Sequence, residues 1–139
     1  MGNKLLIVED NSMMREMFAI ALSDAGFSVI TADDGHAGLD RARAERPDLI
    51  LTDIEMPNMD GIQMIQQLRL EPELQCTPVL VLSALHTSML MKAVAAGACE
   101  VMQKPVELMS LIKIVRHILE AGLPDDGHAL NAYPQRNLI

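Results

Sequence analysis

Aromatic side chains are nearly missing from this chain, which has two Phe, one Tyr and no Trp among its 139 residues. Any core must therefore be assembled from Leu, Ile, Val, Ala and the eleven Met, which fill irregular gaps adaptably and do not by their number require metal or haem. Cysteine is equally scarce. Cys76 and Cys99 are too few and too far apart for a disulfide framework or a zinc site, and each lies beside an apolar run, so both are expected as reduced core thiols. Positive charge is short too: 11 Lys and Arg stand against 19 Asp and Glu, a net charge of −8. Without a basic stripe, that balance speaks against partners such as nucleic acid, an anionic membrane surface or other acidic molecules. Long apolar runs are absent. The opening "MGNKLLIVEDN" has an apolar run too short for a signal peptide, and Leu6 stands where a myristoylation motif wants Ser or Thr. No run approaches membrane-spanning length, so a cytoplasmic location away from membranes is expected.

What is present is a regular alternation of short apolar runs and helical stripes. Leu5 to Val8 reads as a buried strand, and Asn11-Ser12 as the cap of a helix whose stripe of Met14, Met17, Phe18, Ala21, Leu22 and Ala25 ends at Gly26. Phe27 to Ala32 gives a second strand, and His36 to Arg46 a second helix with Leu39 and Ala42 as its inward positions. Asp48 to Thr52 is a third strand; Ile62, Ile65 and Leu68 mark a third helix. Pro78 to Leu82, Thr87 to Ala96, Glu100 to Gln103 and a last helix through Leu108, Leu111, Ile112, Val115 and Leu119 complete the pattern. Ile114 and Ile118 fall off the main stripe of that helix. Five strands alternating with five helices through short links imply α/β architecture, a parallel sheet wound on both faces by right-handed crossovers. Residues 1–122 make one domain on this reading, and 123–139, with Pro, Gly and Asp but no periodicity, a flexible C-terminal tail.

The chemistry gathers at the strand ends. Glu9 and Asp10 follow the first strand, Asp53 the third, Ser83 the fourth and Lys104-Pro105 the fifth, which brings groups distant in sequence to one rim of the sheet, where open α/β sheets bind ligands. A lone strand-end Asp53 is explained as well by capping, and Glu9-Asp10 by a favourable helix dipole. Together they make a different case. Three crowded carboxylates repel unless a cation sits among them, and hard oxygen ligands in that number suit Mg²⁺ reaching a phosphate. Lys104 adds a point positive charge and Ser83 a hydroxyl, which is the equipment for phosphoryl transfer to a carboxylate. His36, His86, His117 and His128 share no metal-ligand spacing and are expected in surface or structural roles. Met13 and Met14 are expected to serve packing and access.

With "ED" after the first strand, "DIEMPNMDG" at the third, "SA" after the fourth and "KP" after the fifth, all in order, the sequence from about Lys4 to Ala121 resembles the response-regulator receiver domain of bacterial two-component signalling. That resemblance implies the CheY-like, flavodoxin-like fold with strand order 2-1-3-4-5. It implies a stand-alone, non-enzymatic phosphorelay module in which Asp53 accepts a phosphoryl group from a histidine kinase or histidine phosphotransfer protein. Asp10 would bind Mg²⁺ directly, Glu9 largely through water, and the backbone carbonyl of Glu55 would complete the protein ligands with Asp53. Ser83 and Lys104 would contact phosphoryl oxygens, and the Lys104-Pro105 bond would be cis. The output partner would be a protein, met on the face of the fourth helix, fifth strand and fifth helix, where Met89, Leu90, Met91 and Val94 crowd; a weak dimer is compatible with that surface.

Two other functions compete. A haloacid-dehalogenase-type phosphohydrolase also uses a strand-end aspartate, but expects an acidic Asp where Glu55 stands and a cap or larger core. A degenerate receiver would bind partners without phosphorylation, against which the retention of all the site residues speaks. One departure from the family is Val101, at a position that usually holds Tyr or Phe; a stiff, small valine cannot act as an aromatic rotamer switch. Glu55 and Leu85 occupy the positions that tune loss of the phosphoryl group to water. Leu85 is expected to exclude water, so replacing it with a polar residue should shorten the phosphorylated lifetime; a decay assay showing an unchanged or slower rate would refute this.

Overall fold

The computed structural model describes residues 3–84 and 87–121, so the expected tail, Leu85, His86 and His128 lie outside the described residues. The order is β1 (Lys4–Val8), α1 (Ser12–Asp24), β2 (Ser28–Ala32), α2 (Gly35–Glu45), β3 (Leu49–Thr52), α3 (Gly61–Leu70), β4 (Val79–Ser83), α4 (Thr87–Ala96), β5 (Glu100–Gln103) and α5 (Leu108–Ala121). All strand pairs are parallel and the order across the sheet is β2-β1-β3-β4-β5, the expected flavodoxin-like topology. No described helix is long and apolar enough to cross a membrane.

Local chemistry sets the boundaries. Asn11, Asp34 and Asp60 each accept a hydrogen bond from a first-turn backbone N–H of α1, α2 and α3, and Gln63 returns a bond to the Asp60 N–H to close a capping box. Just past α1, Gly26 adopts φ 104°, a left-handed value that favours glycine. Along the strands, alternation sends Leu6, Val8, Ile50 and Val81 toward α2, α3 and α4, and Leu5, Ile7, Leu51 and Leu80 toward α1 and α5. β1, β3 and β4 are sandwiched on both faces, which is why they read as unbroken apolar runs. Each fully buried Leu or Ile in them contributes about 1.5–3 kcal/mol of transfer free energy.

Helix α2 carries little apolar surface, and it compensates by approaching closely. Leu39 and Ala42 point inward as expected, and Gly38 joins them; a Cβ there would lie 2.8 Å from the Met64 sulfur and 3.0 Å from Val8. Arg69 at the end of α3 is a second tie. Its guanidinium donates to the carbonyls of Leu74, Gln75, Thr77 and Gly97, joining the α3–β4 connection to the end of α4.

Three expectations are corrected. Met17 is exposed, because α1 buries a narrower stripe centred on Phe18 and Leu22. Ile118 is buried with Leu111 and Val115: α5 packs a broad face on the sheet, wide enough to include the position judged to lie off its stripe. Cys76 is exposed, since it sits in the α3–β4 connection ahead of the strand rather than in it. Cys99 is a buried thiol as expected, and burial pushes its pKa up to about 12. An unfolded chain ionises the same thiol near its ordinary value of about 8.5. Because the folded pKa is the higher one, the contribution of Cys99 is fully present below about pH 8.5 and is lost as pH rises toward 12, by about 1.4 kcal/mol per pH unit. Urea unfolding between about pH 8.5 and 10 should therefore show a shallower loss of stability in Cys99→Ala than in the parent chain; equal slopes would place the alkaline sensitivity elsewhere.

Candidate functional site

At the C-terminal rim of the sheet β1, β2 and β3 end in register at Val8, Ala32 and Thr52, and β4 and β5 end in register at Ser83 and Gln103. Beyond the last residue of β1, β3 and β5 the ladder continues for one more bond: the Glu9 N–H donates to Ala32 (3.1 Å), Asp53 N–H to Val8 (3.1 Å) and Lys104 N–H to Ser83 (2.9 Å). Backbone bonds thus fix the Cα positions of Glu9, Asp53 and Lys104 before any side chain is considered. The Lys104-Pro105 peptide is cis, as expected. Strand order then decides proximity. Asp53 ends the central strand, Glu9 its neighbour on one side, and Lys104 reaches back from the edge across β4.

The Lys104 ammonium sits 2.9 Å from Glu9 Oε1 and 2.9 Å from Asp53 Oδ2. The remaining oxygens are also held: the Asn11 N–H donates to Glu9 Oε2 at 3.2 Å and the Ile54 N–H to Asp53 Oδ1 at 2.6 Å. Burial pushes the Glu9 carboxyl above its ordinary range, against the opposing pull of its bonds to Lys104 and Asn11, and the Asp53 charge pushes the same way as burial. Burial alone would lower the Lys104 pKa, but its bonds to Glu9 and Asp53 outweigh that and hold it raised, so the ammonium stays charged. Asp10 completes the cluster at the exposed edge: one carboxylate oxygen from each of Glu9, Asp10 and Asp53 falls within a mutual 4.8 Å. That donor set, all hard oxygen, fits a small divalent cation such as Mg²⁺.

The expected residues therefore converge, with differences in depth. Glu9 is buried, Asp53 and Lys104 are partly buried, and Asp10 is exposed. Ser83 is fully buried at the end of β4, its carbonyl holding Lys104. Glu55 is exposed and lines an open groove of about 610 Å³ with Asp10, Ile54, Met56, Asp60 and Met89. Three further contributors meet the site, of which only Met14 was singled out in the sequence. Arg15 donates to the Glu9 carbonyl at 2.7 Å, the Met14 sulfur lies 3.9 Å from the Lys104 nitrogen, and Gly61 sits against the Asp53 backbone. Arg15 shares the first turns of α1 with the cap Asn11 and with Met14, a helical placement that could have pointed it at the site; Gly61 was visible only as the last residue of "DIEMPNMDG".

The model of the response regulator receiver domain family matches residues 5–116. Among curated relatives, response regulator MprA of Mycolicibacterium vanbaalenii is 36% identical over 125 residues, 89% of this chain and 53% of the relative. The transcriptional regulatory protein CseB of Streptomyces coelicolor is 35% identical over 116 residues, 83% of this chain and 48% of its own length. The chain spans about half the length of these relatives. Among solved structures, chemotaxis response regulator CheY4 of Vibrio cholerae superposes with a TM-score of 0.80 at 31% identity, covering 85% of this chain and 99% of that one. A response regulator of Chloroflexus aurantiacus described as putative gives a TM-score of 0.83 at 30% identity, covering 86% and 99%.

Gly61 makes the tightest structural demand at the site. Its N–H donates to the Ile54 carbonyl at 2.8 Å, and a Cβ would overlap the Asp53 carbonyl oxygen. Gly61→Ala should cost about 1–3 kcal/mol in urea unfolding, as overpacking does, because a backbone oxygen cannot rotate away. Wild-type stability would mean that the start of α3 backs off freely.

Proposed function

This chain belongs to the response regulator receiver domain family, and on that premise we propose that Asp53 accepts a phosphoryl group from a phosphohistidine of a histidine kinase or histidine phosphotransfer protein. The observation that carries the reading is the ammonium of Lys104 held at 2.9 Å from both Asp53 and Glu9, with Asp10 beside them. In the reaction a carboxylate oxygen of Asp53 attacks phosphorus, the phosphorus–nitrogen bond breaks, and the imidazole leaves with the electron pair. Glu9, Asp10, Asp53 and the Glu55 carbonyl would hold Mg²⁺, which when bound neutralises charge on the transferring group. Lys104 trades its contact with Asp53 for one with a phosphoryl oxygen, and Ser83 supplies a hydroxyl to another. The Ile54 N–H fixes the Asp53 carboxylate so that little reorientation precedes attack.

Receiver domains are as a family signalling modules rather than enzymes, and two-component signalling is the process they serve. The output proposed here is a shift in a pre-existing conformational equilibrium that changes affinity for a protein. Exposed Met91 on α4 and Met109 on α5 support contact through the α4-β5-α5 face. Val101 is buried between the sheet and α4, with Ala93 and Ala98 in the same cluster, so the shift runs through α4 and the segment after Ser83 rather than through an aromatic side chain.

Intact mass after incubation with Mg²⁺ and acetyl phosphate tests the assignment. One added phosphoryl group is expected in the parent chain, lost on Mg²⁺ removal and in Asp53→Asn. No gain with the fold intact would favour an interaction module that works without phosphorylation.

A further inference from the structure

The β3–α3 loop carries the Glu55 carbonyl, and it is held from one side by the start of α2. Asp34, the cap of α2, uses both carboxylate oxygens: Oδ1 accepts from the Ala37 N–H at 2.8 Å, and Oδ2 accepts from the Asn58 side-chain amide at 3.0 Å. A helix cap needs one oxygen. The second is committed to the loop. The Asp34 carboxyl is held below its usual range, first by the Ala37 N–H and then by the Asn58 amide, so both bonds favour the anion. Next to it, the Gly35 N–H donates to the Met59 carbonyl at 3.2 Å, and a Cβ at Gly35 would come within 2.5 Å of that oxygen. Asn58 itself has φ 70°, a left-handed conformation that Asn tolerates better than most residues.

From this we infer that the Asp34–Asn58 hydrogen bond sets the position of the Glu55 carbonyl, which makes Asp34 and Asn58 positioning residues for the metal site without being ligands. The inference rests on the Mg²⁺ reading above, since only there is the Glu55 carbonyl a ligand. The connection between Asn58 and Glu55 is short and stiff, because Pro57 fixes one of its few torsions. Mg²⁺ demands near-ideal octahedral geometry at short distance, so a small displacement of one oxygen lowers affinity. Outer-shell partners of metal ligands are worth about 10- to 100-fold in affinity.

Calorimetric titration of MgCl₂ into the full chain provides the test, with urea unfolding in EDTA run in parallel. Asn58→Gly keeps the left-handed turn and the cap of α2 and removes only the side-chain bond. Asp34→Ser keeps a capping oxygen but lacks the second one that faces Asn58, and Asn58→Asp sets two carboxylates against each other. Each single variant should bind Mg²⁺ about 10-fold more weakly. In the double variant Asp34→Asn with Asn58→Asp, the introduced amide donates to the introduced carboxylate, and affinity should return toward that of the parent. A parent chain that binds no Mg²⁺ overturns the metal reading and this inference with it. If the parent binds and the single variants bind equally well, the inference alone falls. It falls too if affinity is lost in step with the urea midpoint and the double variant does not recover, which would mark a purely structural role.

Discussion

Two carboxylates ending neighbouring strands of a parallel sheet are brought together by the backbone, and everything at this rim depends on the one ammonium that lies between them. At about 4 Å and an effective dielectric near 20, a pair of like charges costs about 4 kcal/mol, comparable to much of a small domain's net stability. Lys104 answers that repulsion from just beyond β5, two strands away from β3 and three from β1, with one contact to each of Glu9 and Asp53. The compensation is partial. With Asp10 included, three acidic side chains face one ammonium, a formal excess of negative charge directed toward the exposed side where Asp10 stands. A divalent cation on that side would balance the excess, and on the proposed reading a phosphoryl group on Asp53 would add charge for the cation and Lys104 to share.

The sheet is what makes such an arrangement affordable. β3 is buried over its whole length and β1 over nearly all of it, so the positions of Glu9 and Asp53 are inherited from core packing rather than from flexible loops. Bonds that extend the ladder one residue beyond the strands carry this rigidity into the site. The loops around it are held by caps that do double duty: Asn11 starts α1 with its side chain while its own N–H binds Glu9, and Asp34 starts α2 while holding Asn58. Helix initiation and site geometry therefore share the same atoms.

Much of this was legible in the residues. The strands and helices followed from period and punctuation, because a doubly wound sheet makes its inner strands uniformly apolar and its helices one-sided. Glu9, Asp53 and Lys104 could be brought together from strand-end position alone, since a parallel sheet aligns all its carboxyl ends on one rim. What could not be read were contacts that depend on which neighbour a helix meets. Ile118 fell off the idealised stripe because the width of the face that α5 buries is set by α1 and the sheet, not by α5. Cys76 adjoined an apolar run in sequence but not in space. Arg15 and Arg69 act by donating to backbone carbonyls, and a carbonyl has no sequence signature.

Val101 turns the remaining question from which side chain moves to which surface does. A valine in a strand, fully buried against α4, has no second rotamer that would carry a bulky group between an exposed and a buried place. A charge change at Asp53 can still bias the fold, because Ser83 and Lys104 end the two strands that flank α4 and are bonded to each other through the backbone. Neutralising or displacing Lys104 from Asp53 therefore acts on β4 and β5 together, and α4 is the element packed over both. α4 also ends at Gly97, whose carbonyl is held by Arg69. One end of the helix is thus tied to α3 while the other faces the rim. On the proposed reading, a helix fixed at its far end and loaded at its near end would respond by tilting, changing the surface presented by Met91 without any aromatic side chain having to swing.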